Sequence, residues 1–350
     1  MKIFSIVGAR PQFIKLAPLS KAINDRHEEF IVHTGQHYDY AMSEKIFLDL
    51  GIRKPDIHLE TGPGTQASQT GEMMAKLEAA MTKNKPDLVI VFGDTNSTLA
   101  GVLAASKLYI PIIHIEAGLR SYNKNMPEEI NRIVADHVSK YLFAPTQTAV
   151  DILKNEGLKK NTFFTGDIMV DTMKNNLSIA LEKSSVIRDL KLENEQYNLL
   201  TLHRNYNVDD TSILEHILNQ LGELGEKIIF PIHPRTRKML ADSFSVSENI
   251  QVTAPVGYLD FIALENSAKK IITDSGGIQK EAYLLKKPCI TLRTETEWVE
   301  TVEEKWNLLI NPRAKKIASK IDAFKTPKKQ KEVFGENVTK KMVKIINHIQ

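Results

Sequence analysis

The stretch Thr273-Asp274-Ser275-Gly276-Gly277-Ile278-Gln279-Lys280-Glu281-Ala282 decides the fold. The apolar run that leads into it, Lys270-Ile271-Ile272, reads as a buried parallel strand, and Gln279 to Leu285 reads as the helix that follows. Two glycines at a strand-to-helix turn let the backbone curl tightly and point bare N–H groups at an anion. Ser275 adds a hydroxyl donor. Glu281, one turn into the helix, is badly placed for a phosphate and well placed for a pair of sugar hydroxyls. A phosphate seat with a carboxylate beside it suggests a nucleotide-linked sugar; the competing reading is an ordinary Ser-Gly-Gly turn followed by a solvated Glu.

Working outward, the same strand-then-helix unit recurs. Short β-rich runs at Ile3–Val7, Phe30–His33, Leu88–Phe92, Ile112–Ile115 and Tyr141–Ala144 form one series. Leu199–Leu202, Ile228–Ile232, Ile250–Thr253, Ile271–Thr273 and Cys289–Leu292 form a second. Strands apolar on both sides and alternating with helices imply parallel sheets covered on both faces. Between the two series, Asn175 to Tyr197 is polar and charged with no β-rich run, and marks the boundary. The expected architecture is α/β, two doubly wound Rossmann-like domains with a cleft between them: residues 1–172, joined by the C-terminal helix 335–350, and residues 173–334. In such sheets ligands sit outside the carboxyl ends of the strands, so the informative residues should follow the strands directly.

Composition bounds the partners. The chain has 350 residues, 42% hydrophobic and 25% charged, as expected for a globular protein of two domains. A net charge of +3 is too small and dispersed to suggest nucleic acid, and the Lys-rich stretch after Arg313 has the spacing of a solvated helix face. One cysteine, Cys289, excludes a disulfide framework and a Cys-based zinc site. No His or Asp/His grouping has metal-site spacing, so no metal and no cofactor are expected. Met1 to Val7 runs straight into Gly8-Ala9-Arg10-Pro11, which suits a first strand better than a signal peptide, and no run approaches the length of a membrane span. A cytoplasmic protein is the expectation.

Several strand ends carry groups able to do chemistry. After the first comes Gly8-Ala9-Arg10-Pro11-Gln12-Phe13-Ile14-Lys15, which places Arg10 and Lys15 near a helix N-terminus where anions already bind well. It is not a Gly-x-Gly-x-x-Gly fingerprint, so dinucleotide binding gains no support. Asp94, in Gly93-Asp94-Thr95, is either an acid or the cap of the next helix. Glu116 ends a strand before Ala117-Gly118, where a carboxylate is costly to bury unpaired. Glu128 sits in Pro127-Glu128-Glu129, also a plain helix start. Three acids converging in one cleft would raise at least one pKa toward neutrality, as acid–base work needs. In the second series His203 and His233 stand at strand ends, where they either serve structure or contact phosphate.

Taken together, Gly8–Lys15, His33-Thr34-Gly35-Gln36-His37, Gly93-Asp94-Thr95, His114–Arg120, Pro127-Glu128-Glu129, Asn131-Arg132, His203-Arg204 and Asp274–Glu281 resemble, in order, the non-hydrolysing UDP-N-acetylglucosamine 2-epimerase family. The resemblance implies the two-domain arrangement of nucleotide-sugar glycosyltransferases (GT-B), a homodimer, and no metal or nicotinamide. It implies inversion at C2 of a UDP-linked 2-acetamido sugar, feeding surface polysaccharide synthesis. UDP would leave C1 as the C2 proton is taken, giving a 2-acetamidoglucal, and then add back while a proton arrives from the other face. By the same resemblance Asp94, Glu116, Glu128 and His203 are the acid–base groups. Arg10, Lys15, Gln36, His37, Arg132, His233, Asp274, Ser275, Gly276 and Gly277 hold the UDP-sugar, and Glu281 holds the ribose.

Some segments depart from the commonest family pattern. Ser68-Gln69-Thr70 stands where Arg-Gln-Thr is usual, and Thr294–Glu300 replaces a Thr-Glu-Arg-Pro-Glu run. With Pro234-Arg235-Thr236-Arg237 these look more like the branch that epimerises UDP-2,3-diacetamido-2,3-dideoxyglucuronate, with Arg235 or Arg237 as a bidentate partner for that sugar's carboxylate. A glycosyltransferase, a hydrolysing 2-epimerase and a silent nucleotide-sugar sensor are the rival readings.

Overall fold

Two all-parallel sheets carry the described residues of this computed structural model, which are 1–23, 26–36, 47–240 and 246–349. The first sheet contains β1 (Lys2–Val7), β2 (Glu28–His33), β3 (Ile57–His58), β4 (Leu88–Phe92), β5 (Ile112–Ile115), β6 (Tyr141–Ala144) and β7 (Thr162–Phe164). Its spatial order is β3-β2-β1-β4-β5-β6-β7. The second contains β8 (Tyr197–Thr201), β9 (Lys227–Pro231), β10 (Ile250–Thr253), β11 (Lys270–Thr273), β12 (Cys289–Thr291) and β13 (Asn307–Leu309), ordered β10-β9-β8-β11-β12-β13. The chain accordingly divides into residues 1–172 with 332–350, and residues 173–331.

The strand sequences explain the layering. Leu88-Val89-Ile90-Val91-Phe92 is buried at every position, and its side chains alternate between two cores. Leu88, Ile90 and Phe92 join Ile3, Val7, Phe13 and Leu16 on one face, while Val89 and Val91 join Phe4, Ile6, Met73 and Leu77 on the other. The helix Val338–Ile346 returns to the first unit because Val338, Met342 and Ile346, four residues apart, enter the first of these cores. Pro18 interrupts the helix Arg10–Ile23 by removing the N–H that would meet Ile14 O, and the Thr172 hydroxyl donates to that carbonyl instead.

Three strands escaped the sequence reading: β3, β7 and β13. All three are short and lie at the edges of their sheets, where they need little apolar sequence. In each sheet the winding reverses at a pair of central strands, β1 with β4 and β8 with β11. The segments just beyond those four carboxyl ends are Gly8–Lys15, Gly93–Thr95, Leu202–Arg204 and Asp274–Gly277, the same segments that carried the motifs.

Candidate active site

In the first unit the chain leaves β1 through Gly8, into which no side chain fits. A Cβ there would stand 2.0 Å from Thr34 Oγ1 and 2.2 Å from Ser97 Oγ. Gln12 fixes the turn: its Oε1 accepts from Gly8 N at 2.8 Å and Ala9 N at 3.1 Å, and its Nε2 donates to Phe92 O at 3.0 Å. Arg10 then begins the helix, and Lys15, little more than one turn on, is buried with its Nζ 2.7 Å from Glu116 Oε1. Gln36 seals the other flank by accepting from Ser97 N at 3.0 Å and Ser97 Oγ at 2.7 Å. His37 lies outside the described residues.

Glu116 has φ +74°, in the left-handed region that a non-glycine side chain enters at a cost of about 1–3 kcal/mol. Its turn is over-determined, because the N–H groups of Glu116 and Ala117 both donate to Phe143 O at 3.1 Å. The strain aims the carboxylate at Lys15 at the carboxyl edge of the sheet. Gly93, φ +60°, brings the next turn against this pair; a Cβ there would lie 3.3 Å from Lys15 Nζ and 3.5 Å from Glu116 Oε1.

Asp94 follows Gly93. Of the two readings of Asp94, the helix cap does not hold: Thr95 is the cap of Asn96–Lys107, its side chain accepting from Thr98 N. Asp94 is left free for other work and pairs with Arg132 Nη2, while its carbonyl accepts from Asn131 Nδ2 at 2.9 Å. Arg132 also meets Glu129 at 3.2 Å. Glu129, not Glu128, is the structural carboxylate of its pair, being buried and bound to Ser121 N, Ser121 Oγ and Tyr122 N at 2.8–2.9 Å. Glu128 is half-buried in the first turn of Pro127–Val138, four residues before Arg132 and so on the same face of that helix. Lys15–Glu116 and Arg132–Asp94 are thus two ion pairs joined through the Gly93-Asp94 turn, with Glu128 on the helix that supplies Arg132.

In the second unit Asp274 is fully buried and organises the turn after β8. Its oxygens accept from His203 N at 3.0 and 3.1 Å, Arg204 N at 3.0 Å and Asn207 Nδ2 at 3.2 Å, and His203 Nδ1 lies 3.1 Å away. Burial pushes the Asp274 carboxyl up, but the His203 ring and the two backbone donors outweigh it and hold the group below the ordinary carboxylate value. Asp274 was expected to touch substrate; with its lone pairs spent on this turn, it holds the site instead. It also orients the His203 ring, about one-third exposed, through Nδ1. The His233 ring lies 5.8 Å from that of His203, is exposed, and caps Arg235 N at 3.2 Å.

Ser275, Gly276 and Gly277 open the helix Gly276–Leu284, with Ser275 as a cap whose side chain makes no capping bond. The hydroxyl and the first N–H groups are therefore presented together. Glu281 is buried on the same helix, 3.5 Å from the Tyr258 hydroxyl. Two residues missed in the sequence stand here. Arg293, 1% exposed, makes an ion pair of 3.1 Å with Glu297, and Glu297 Oε1 lies only 2.2 Å from where a Cβ on Gly276 would be. Arg293 directly follows the last apolar residue after β12, the one signal that marked it. Arg235, by contrast, spends its fork on Asp209, at 2.9 and 2.5 Å on the surface. Cys289 is buried, its thiol pushed up to about 12 by burial, so it is a core residue. Among the described residues no group of three or more His, Cys, Asp or Glu side chains is placed to hold a metal ion, and no helix is long and apolar enough to cross a membrane.

Two Rossmann-like units, one with a strained acid beside a buried lysine and the other with a Ser-Gly-Gly helix start at the end of a central strand, are the architecture of a class of enzymes that act on nucleotide-linked sugars. Comparison with known proteins makes this specific. Residues 21–349 match the family model described as UDP-N-acetylglucosamine 2-epimerase. A UDP-N-acetylglucosamine 2-epimerase homolog of Methanococcus maripaludis is 50% identical, with all of both chains covered. The UDP-2,3-diacetamido-2,3-dideoxy-D-glucuronate 2-epimerase of Pseudomonas aeruginosa is 48% identical over 89% of this chain and 88% of its own. The crystal structure of the Methanocaldococcus jannaschii UDP-GlcNAc 2-epimerase, in complex with UDP-GlcNAc and UDP, superposes with a TM-score of 0.93 at 42% identity over the whole of both chains. The chain belongs to the UDP-N-acetylglucosamine 2-epimerase family, a family of isomerases.

Proposed function

We propose that this chain inverts C2 of a UDP-linked 2-acetamido sugar, of the UDP-GlcNAc to UDP-ManNAc type, by expelling UDP to a 2-acetamidoglucal and adding it back. The observation that carries this is the placement of Asp94 and Glu116 at the ends of the adjacent strands β4 and β5, each against a cation. The C2 hydrogen is only weakly acidic, so its removal needs a positioned base and the departure of UDP in the same process. Glu116 and Asp94 are the groups for proton transfer at C2, with Glu128 as the third acid and His203 Nε2 as a donor to the leaving diphosphate. The Ser275-Gly276-Gly277 seat, with Arg10 and His233, stabilises the charge that develops on UDP, as preorganised donors do. Glu281 takes the ribose.

A second substrate has a specific observation behind it: the 48% identity to the Pseudomonas enzyme whose name specifies the diacetamido uronate, beside 43% to the Methanocaldococcus jannaschii UDP-N-acetylglucosamine 2-epimerase. Because Arg235 is held by Asp209, Arg237, exposed on the helix Pro234–Met239, is the guanidinium left for a C6 carboxylate. An NMR time course on both UDP-sugars separates the two. Faster turnover of the uronate, lost in Arg237→Ala, supports it; equal or faster turnover of UDP-N-acetylglucosamine removes it. The enzyme works in the cytoplasm as a homodimer, and a light-scattering mass equal to one chain would contradict the dimer.

A further inference from the structure

Between the turns that carry Asp94 and Glu116 lies a buried chain of hydrogen bonds. His114, on β5, is completely buried; its Nε2 is 2.7 Å from Gly93 O and its Nδ1 is 2.7 Å from Asp136 Oδ1. Asp136, also fully buried, uses its other oxygen for Gly118 N at 3.0 Å and Arg120 Nη1 at 2.7 Å. Burial raises the Asp136 carboxyl, but the bond to His114 and the charge of Arg120 more than offset this and keep it ionised. Both ring nitrogens therefore lie against oxygens, one of a carboxylate and one of a backbone carbonyl.

The connections matter more than the charge. Gly93 is the residue before Asp94, and Gly118 is the second after Glu116. Asp136 sits one turn beyond Arg132 on the helix that also holds Glu128. One imidazole thus ties together the turn of Asp94, the turn of Glu116 and the helix of Glu128 and Arg132. Gly93 and Gly118 reach positive φ freely and Glu116 does so at a cost, and the bonds to Gly93 O and Gly118 N hold the two turns on one side-chain network. We infer that His114 is a positioning residue of the acid–base centre: through Gly93 O it fixes the distance of Asp94 from Glu116, with Asp136 as its anchor. The inference rests on the epimerase reading above.

The bond to Gly93 can be separated from the bond to Asp136 by substitution. The amide nitrogen of Asn falls near ring Nδ1 and that of Gln near Nε2, so His114→Asn keeps a link to Asp136 and His114→Gln keeps the link to Gly93. His114→Asn should lower kcat by about 30-fold or more, with KM and UDP affinity within about 3-fold of wild type, whereas His114→Gln should stay within about 5-fold in kcat. Equal losses in the two variants, or losses in KM rather than kcat, would mean that the network serves only the fold. Asp136→Asn is the control should either variant not fold. Its amide keeps a partner for ring Nδ1 and leaves the bond to Gly93 O in place, so kcat should fall less than about 10-fold, and a fall beyond about 30-fold at unchanged KM overturns the inference. Wild-type turnover measured alongside tells this failure from failure of the epimerase reading, under which wild type itself would be inactive.

Discussion

Asp94 and Glu116 meet opposite kinds of constraint. Glu116 is forced into a left-handed backbone and pinned to Lys15, whereas Asp94 leaves a glycine turn and is met by Arg132 from a separate helix. Asp94→Asn and Glu116→Gln should each cost two or more orders of magnitude in turnover, on the order of 3 kcal/mol, with UDP affinity nearly unchanged by calorimetry. Normal turnover in either variant would remove its assigned role. Asp274 makes a different kind of prediction. Its folded carboxyl lies below its ordinary value of 3.8, so the unfolded chain binds the proton more tightly. Its contribution to stability is complete above that value and is lost as pH falls through the folded one. The stability gap between wild type and Asp274→Asn in urea should therefore be widest near about pH 6 and shrink toward about pH 3; a constant gap would contradict the assignment. These acids were legible as candidates because each directly follows an apolar run. Their partners were not, since a sequence does not show that Arg132 reaches back thirty-eight residues to Asp94, or that Asp274, read as a ligand for the UDP-sugar, bonds to His203, Arg204 and Asn207.

At the scale of the element, the recurring device is a strand that ends in a residue with no room for, or no use of, a side chain. Gly8 is the tightest case. Thr34 and Ser97, which a Cβ would strike, are both fully buried and bonded to each other at 2.8 Å. Gly8→Ala should destabilise the fold by about 1–3 kcal/mol, measured as a lower denaturation midpoint. A change within about 0.5 kcal/mol would show that the turn relaxes. Central strands were readable because parallel pairing buries both faces and demands continuous Val, Ile and Leu. Edge strands such as Ile57–His58 were not, because two hydrogen-bonded residues leave no pattern in the chain. At one helix start the sequence left two readings open: Asp94 has the chemistry of a cap, and only the backbone shows that Thr95 takes that position.

At the scale of the whole molecule, the chain repeats one architecture twice. Val338, Met342 and Ile346 of the last helix fill a core of the first unit, although the Lys-rich spacing around them reads as a solvated face. Saturating UDP should protect the amides of Gly276 and Gly277 from hydrogen exchange, since the anion seat is built from those groups. Unchanged exchange there would move the nucleotide elsewhere. The chemistry itself is tested most directly by incubating the protein with UDP-N-acetylglucosamine in D2O, with no acceptor, and following C2 by NMR. Deuterium should enter C2 of both epimers with little release of free sugar. Tight binding of UDP-sugar with no deuterium at C2, for this substrate and for the diacetamido uronate alike, would contradict proton transfer by Asp94 and Glu116.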